Sequence, residues 1–381
     1  MKNLVDEKEM VDLACALISQ KTINPPGDEY LTKDIIVKSM KNLGMKIKII
    51  GDKKRPNVFG EVGTGSPSVA ILCHMDVVLP GSAWKTDPFK PVVKNGRLYG
   101  RGACDDKGPY AASWAAIKAV LSSGKKLKGK IILGAIADEE RGSEKGIKLL
   151  LKKKKLDCDF CLIPDGGRID EAVIGEKGML WLRFASIGKA AHGSNPHKGI
   201  NAITNMTKFL QLITNLKINK KMDSQFTGMT INLGEIKGGD APNIVPSYCE
   251  ATVDIRYPLG IKKEDITKKV KSLLSAFNKK KETNKIILKD ILQDTSPHLL
   301  KRNNKFLKTF LQASKDTGET MKVTTIGGNS VGKLLYFAGF PSFSHSPEDI
   351  SVAHQANESV SLKNLKRCAI LWASFIGKIV T

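Results

Sequence analysis

Apolar residues near the start of the chain fall at Met10, Leu13, Ala14, Leu17 and Ile18, the spacing that turns one face of an α-helix toward a core. Val69-Ala70-Ile71-Leu72-Cys73 and residues 130–137 are short, nearly continuous apolar runs, as buried strands are. Residues 110–121 between them and 146–151 after them carry helical spacing. Buried strands alternating with helices predict an α/β domain with a mostly parallel sheet. From about Met179 the texture changes. Residues 180–187 alternate like a strand with one wet face, 200–216 read as a helix, 228–236 and 248–257 as strands, 262–277 as a helix and Ile286-Ile287-Leu288 as a strand. That order suggests a ferredoxin-like α+β insert. After a turn cluster at 294–297 the first pattern resumes, and the chain reads as helical from about Asn357. The predicted organisation is one catalytic domain in two parts, 1–177 and 293–381, interrupted by a second domain at 178–292.

The 381 residues suffice for two domains, and 41% hydrophobic residues can fill their cores. No apolar run approaches the roughly 18–20 residues that span a bilayer. The N-terminal segment lacks the apolar stretch of a secretory signal. Seven cysteines, odd in number and scattered, argue against a disulfide framework. The expectation is a reduced, cytoplasmic protein without membrane attachment. Lys plus Arg is 61 against 38 Asp plus Glu, a formal net charge of +23. Such an excess raises nucleic acid, anionic surfaces or acidic substrates as partners. The basic runs (Lys53-Lys54-Arg55, 152–155, Lys220-Lys221, Lys262-Lys263 and 279–281) are short, lysine-dominated and spread over both predicted domains, without interleaved aromatics. They read as a solvated lysine-rich surface rather than as a specific nucleic-acid site.

Three clusters of acidic or histidine residues follow strand-like runs: His74-Met75-Asp76, residues 100–108 (GRGACDDKG) and Ala137-Asp138-Glu139-Glu140. Asp165 in Pro164-Asp165-Gly166 and His354 before Asn357-Glu358 are later candidates. Each alone has a plain alternative: a satisfied core histidine, an ordinary acidic turn, a solvated helix start. Together, the three clusters, each just past an apolar strand of the predicted sheet, are expected to converge on one crevice. Several carboxylates there repel one another unless cations compensate them. Mixed histidine and carboxylate ligation suits zinc, with cobalt or manganese as alternatives. A two-metal site also needs a base that is not a ligand, and the adjacent Glu139 and Glu140 can divide those tasks.

These four segments resemble the zinc aminoacylase and carboxypeptidase superfamily, which includes acetylornithine deacetylase, succinyl-diaminopimelate desuccinylase, aminoacylase, glutamate carboxypeptidases and bacterial dipeptidases. The resemblance runs from about residue 10 to the C-terminus. It implies that Asp105 bridges two divalent metal ions, that His74 and Asp165 complete one metal, and that Glu140 and His354 complete the other. It implies Glu139 as general base, Asp76 as the residue orienting His74, and a cis peptide bond after Asp105. Residues 188–202 resemble the signature that opens the family's lid domain, with His192 steadying the oxyanion from a partner subunit of a homodimer. Residues 238–246 and Asp254-Ile255-Arg256 resemble the segments that supply substrate-binding Asn243 and Arg256, the arginine fork matching a substrate carboxylate. The fold implied is a metallopeptidase α/β domain with a ferredoxin-like lid and dimerisation domain.

The chain departs from the pattern in places. A late Gly-Gly-Thr-Ser-like loop near the substrate is Gly327-Gly328-Asn329-Ser330 here, with Gly328 as its substrate-side residue. It continues Val331-Gly332-Lys333 where relatives have Asp-Ala-Arg, and a Phe-Gly-Pro segment is Phe343-Ser344-His345. His345 reads as a partly exposed loop histidine, with substrate contact as the alternative. Cys158 and Cys161 read as plain thiols. Aspartate at 165 resembles the peptidase side of the family. The expected function is a two-metal hydrolase of an amide bond in a short peptide or N-acyl amino acid bearing a free carboxylate. An N-acyl amino acid deacylase is the alternative, and a basic anion- or nucleic-acid-binding protein a distant one.

Overall fold

The computed structural model describes residues 1–279, 285–348 and 350–381, so Lys280 and Lys281 of the last basic run lie outside the described residues. The chain forms two compact units, Met1–Gly175 with Leu300–Thr381, and Glu176–Leu299.

In the first unit the central sheet runs in the order Lys46–Gly51, Pro56–Gly63, Lys130–Ile136, Ser68–His74, Phe160–Ile163, Ser342–Ser344, Glu171–Glu176. The sheet is mixed rather than mostly parallel. Lys130–Ile136, Ser68–His74, Phe160–Ile163 and Ser342–Ser344 are parallel neighbours, whereas the first three strands in the order pair antiparallel. Four residues join Lys46–Gly51 to Pro56–Gly63, a connection long enough for a hairpin and too short for a parallel crossover. Both faces of the parallel strands are covered. Ala70 and Leu72 pack into a cluster with Ile147, Leu150, Val331 and Leu335. The alternating positions turn the other way, where the Cys73 sulfur meets Ser113 on the helix Lys107–Leu121. That helix is buried along nearly its whole length and packs against the helices Glu7–Ile18 and Leu362–Val380.

The last helix begins at Leu362, not near Asn357. Ser361 caps it, and Ser359–Ser361 is instead a strand paired with Arg97–Tyr99. His345 is a core residue rather than a partly exposed loop residue. It is fully buried, its Nε2 donates to the Ile169 carbonyl at 3.0 Å, and its Nδ1 accepts from the Trp372 indole at 3.0 Å. Both ring nitrogens are satisfied by the neutral ring, and burial lowers its pKa to about 4. Cys158 and Cys161 bring their sulfurs to 3.4 Å beside the cluster of Ala70, Leu72 and Ile147.

In the second unit Gly178–Ile187, Ala202–Thr214, Thr230–Gly238, Tyr248–Tyr257, Lys263–Asn278 and Lys285–Thr295 follow one another as strand, helix, strand, strand, helix, strand. The sheet is antiparallel, with Tyr248–Tyr257 and Gly178–Ile187 at its centre. One face is closed by both helices over Leu182, Phe184, Phe209, Val253, Ile255 and Phe277. The last strand runs to Thr295, so residue 292 lies inside it. Among the described residues, no helix is long and apolar enough to cross a membrane.

Candidate metal centre

The parallel strands bring three of the sequence motifs to one edge. In register, Ile71 faces Leu133 on one neighbour and Leu162 on the other. His74 and Asp165 each stand three residues beyond those positions, and Glu139 follows the end of Lys130–Ile136, so all three project from the same sheet edge. Asp105 and Asp106, expected past a strand of the same sheet, instead follow Arg97–Tyr99 of a separate small sheet and stand at the start of the helix Lys107–Leu121, with a cis peptide bond between them.

The carboxylate of Asp105 lies between two histidines. Its Oδ1 is 2.7 Å from His74 Nε2, and its Oδ2 is 3.2 Å from His354 Nε2. Glu140 Oε1 is 3.2 Å from the same His354 nitrogen. Donor atoms of His74, Asp105 and Asp165 lie within 4.8 Å of one another, as do those of Asp105, Glu140 and His354. Two three-residue sets thus share one aspartate.

The electrostatics favour cations. Burial alone would lower the pKa of His74, but Asp105, with Asp76 and Glu139, outweighs burial and raises it well above the usual value. Hydrogen bonds to Asp105 and Glu140 raise His354 to about 10. Burial, with Asp165, Glu140 and Asp105 nearby, pushes Glu139 well above the usual carboxyl range. The clustered carboxylates thus draw positive charge to the pocket and discourage a further negative one. Nitrogen and carboxylate donors in this number fit divalent cations such as zinc.

Residues around the donors hold them in place. The Asp76 backbone carbonyl takes His74 Nδ1 at 2.9 Å, while its carboxylate stands 3.6 Å from that nitrogen. That carboxylate accepts the backbone N–H groups of Glu139 at 3.0 Å and Glu140 at 3.1 Å, so Asp76 holds both glutamates as well as the histidine. Asn24 donates to it at 2.8 Å. Glu358, fully buried, accepts from the backbone N–H groups of Gly102 (3.1 Å), Cys104 (2.8 Å) and Asp105 (3.2 Å) through one oxygen and from Arg101 (2.6 Å) through the other. Asn357 fastens the His354 turn by accepting from the Lys85 backbone N–H and donating to the Ala83 carbonyl. The sequence displays Asn24, Arg101 and Glu358 without a role, because each acts on a segment distant in the chain.

Gly328 is exposed in the loop after Lys322–Ile326, Ser330 caps the following helix, and Lys333 is buried with its ammonium bonded to Asn329. In the second unit His192 and Asn243 are both exposed and adjacent, the Gly193 N–H donating to the Asn243 carbonyl at 2.7 Å. A Cβ on Gly193 would sit 3.0 Å from the Asn243 backbone, so a larger residue there would require that backbone to give by a few tenths of an ångström. Arg256 stands apart from this pair. It lies at the opposite end of Tyr248–Tyr257 from Tyr248, with its Nε on Asp254 at 2.9 Å. The pairing that continues past Tyr248, Gly188 with Ser247 and Ala191 with Val245, carries His192 and Asn243 further away.

The chain is 29% identical over 402 residues to an uncharacterized metallohydrolase of Methanocaldococcus jannaschii, covering 95% of this chain and 97% of that one. It is 27% identical to a succinyl-diaminopimelate desuccinylase of Pelagibacter ubique, covering 96% and 97%. Its fold is similar to that of a Staphylococcus aureus tripeptidase (TM-score 0.80, 22% identity, 98% and 99% covered). It is also similar to that of an M20 family metallo-carboxypeptidase from Sulfolobus solfataricus (TM-score 0.78, 20% identity, 97% and 98% covered). The model of peptidase family M20/M25/M40 matches residues 70–378, and the chain belongs to that family, as a metallopeptidase or amidohydrolase acting on amide bonds.

Proposed function

We propose that this protein hydrolyses an amide bond in a short peptide or N-acyl amino acid that carries a free carboxylate, using two divalent metal ions, of which zinc suits the donors best. The observation that carries this reading is the single Asp105 carboxylate with one oxygen toward His74 and the other toward His354. In this reading Asp105 bridges, His74 and Asp165 hold one ion, and Glu140 and His354 hold the other. The ions supply Lewis acidity, polarising the scissile carbonyl and acidifying the attacking water. Glu139 takes the proton from that water and passes it to the leaving amine. Asp76 keeps His74 and both glutamates in place.

Arg256 receives the substrate carboxylate, Asn243 contacts substrate and His192 stabilises the oxyanion. Eight residues of extended strand, about 25 Å, separate Arg256 from the Tyr248 end, beyond which His192 and Asn243 lie. One chain therefore cannot close both groups on one small substrate. This supports a homodimer in which His192 of the partner subunit completes the site, with residues 178–292 acting as lid and dimerisation domain. The positive surface then serves to attract anionic substrates, with no nucleic acid involved, and the cytoplasm is the proposed compartment.

Similarity to the Pelagibacter ubique desuccinylase favours a second reading, an N-acyl amino acid deacylase. A hydrolysis screen with added zinc or cobalt separates the two. It should cover dipeptides, tripeptides, N-acetylornithine, N-succinyl-diaminopimelate and other N-acyl amino acids. Peptide turnover that requires the free carboxylate supports the first reading, and turnover confined to N-acyl amino acids supports the second. A protein that binds no divalent metal overturns both.

A further inference from the structure

Glu139 and Glu140 follow Asp138, whose backbone is left-handed (φ 65°), a conformation uncommon for a residue other than glycine. Asp138 is engaged on every side. Its N–H donates to Glu29 Oε1 at 3.1 Å, and its carbonyl accepts from the Ser143 N–H at 2.6 Å. Its Oδ2 accepts from the Lys145 N–H at 2.9 Å, and its Oδ1 meets Arg55 Nη1 at 3.0 Å and Asn24 Nδ2 at 3.2 Å.

Arg55 comes from the hairpin loop after Lys46–Gly51, and closes its fork on Glu29 with Nε 2.9 Å from Oε2 and Nη2 2.5 Å from Oε1. Glu29 is 1% exposed. The guanidinium lies on Gly27, where a Cβ would fall 2.1 Å from Arg55 Cζ and where φ is +84°. A side chain there would displace the arginine. Asn24 ties the same group to the site, since its amide also donates to the Asp76 carboxylate that holds the N–H groups of Glu139 and Glu140. Both links from Arg55 to the two glutamates therefore pass through Asp138: one along the chain to Glu139 and Glu140, the other by hydrogen bonds from Asp138 through Asn24 to Asp76. Three buried carboxylates, of Glu29, Asp138 and Asp76, face this one guanidinium. Without it they repel, and the left-handed turn loses one of its anchors.

We propose that Arg55, clamped by Glu29, is a positioning residue that sets where Glu139 and Glu140 point while touching neither substrate nor metal. Its effect on turnover rests on the roles proposed above for those two glutamates. The test compares wild type, Arg55→Met, Arg55→Lys and Glu29→Gln, each loaded with zinc. Hydrogen exchange at the Glu139 and Glu140 amides should accelerate in Arg55→Met, with exchange in the helix Lys107–Leu121 unchanged. With the best substrate from the screen, kcat should fall on the order of 10–100-fold while KM stays within about twofold. Arg55→Lys, which keeps the charge but not the fork, should recover part of the loss. Unchanged exchange at both amides with kcat within twofold of wild type overturns the proposal, as does acceleration spread evenly over the first unit. If Arg55→Met does not fold, Glu29→Gln, which keeps the shape and one acceptor, carries the same comparison. A Glu139→Gln enzyme that keeps its turnover overturns the role of Glu139, and leaves the exchange result to judge the positioning by itself.

Discussion

Replacing Glu358 by alanine removes one carboxylate that holds the loop carrying Asp105. The variant leaves three buried backbone N–H groups without their acceptor and Arg101, itself 1% exposed, without its counter-ion. A hydrogen bond to a charged group contributes about 1.5–3 kcal/mol, but three donors on one oxygen cannot all be optimal. Breaking a buried ion pair from one side costs about 3–5 kcal/mol. Destabilisation of about 4 kcal/mol is expected. Urea unfolding in a Trp181→Phe background reads it, because Trp84, Trp114 and Trp372 all belong to the first unit and Trp84 lies against Arg101. Zinc affinity should fall by about 10–100-fold, since the loop that presents Asp105 is no longer tied down. The double variant Arg101→Met/Glu358→Leu should cost less than Glu358→Ala alone, because it leaves no buried charge unpaired. A loss below about 1 kcal/mol for Glu358→Ala, or a larger loss for the double variant, would refute the reasoning.

Glu139→Ala should keep its metal content by elemental analysis while kcat drops by about 10²–10⁴-fold, the range for removal of a general base; a rate near wild type contradicts that role. Zinc at about 100 times its dissociation constant should raise unfolding free energy by about 2.7 kcal/mol over chelator-treated protein, and identical urea midpoints would show that the site does not bind it. His345 has a folded pKa of about 4 against an unfolded value near 6.5. The unfolded state therefore takes the proton first, so this contribution is fully present above about pH 6.5 and is lost as pH falls toward 4. His345→Gln should lessen the stability lost between pH 7 and pH 4 by about 3 kcal/mol, and an unchanged pH dependence would show that the ring titrates normally.

Local pattern was enough to place most elements. Continuous apolar runs marked the strands that end at His74 and Ile136, and helical spacing marked Lys107–Leu121 to within three residues. It failed where pairing rather than periodicity decides. Residues 359–361 are too few to show a period, and they form a strand only because Arg97–Tyr99 lies beside them. The edge of the central sheet is antiparallel because a short loop demands it, which apolar content does not reveal. His345 looked exposed because the apolar walls that bury it, with the Trp372 indole, come from another segment.

The candidate centre divides the same way. Residue type alone marks the side chains that could bind a cation, and local pattern puts three of their motifs after strands, so histidine and carboxylate chemistry is readable along the chain. It is the folding of the unit that turns one Asp105 oxygen to His74 and the other to His354, brings Glu358 across more than 250 residues to hold the Asp105 loop, and lets Arg55 reach Asp138. Hydrogen bonds and ion pairs between buried groups depend on where separate segments come to rest, and that position is set by the packing of the whole unit rather than by any residue's neighbours in sequence.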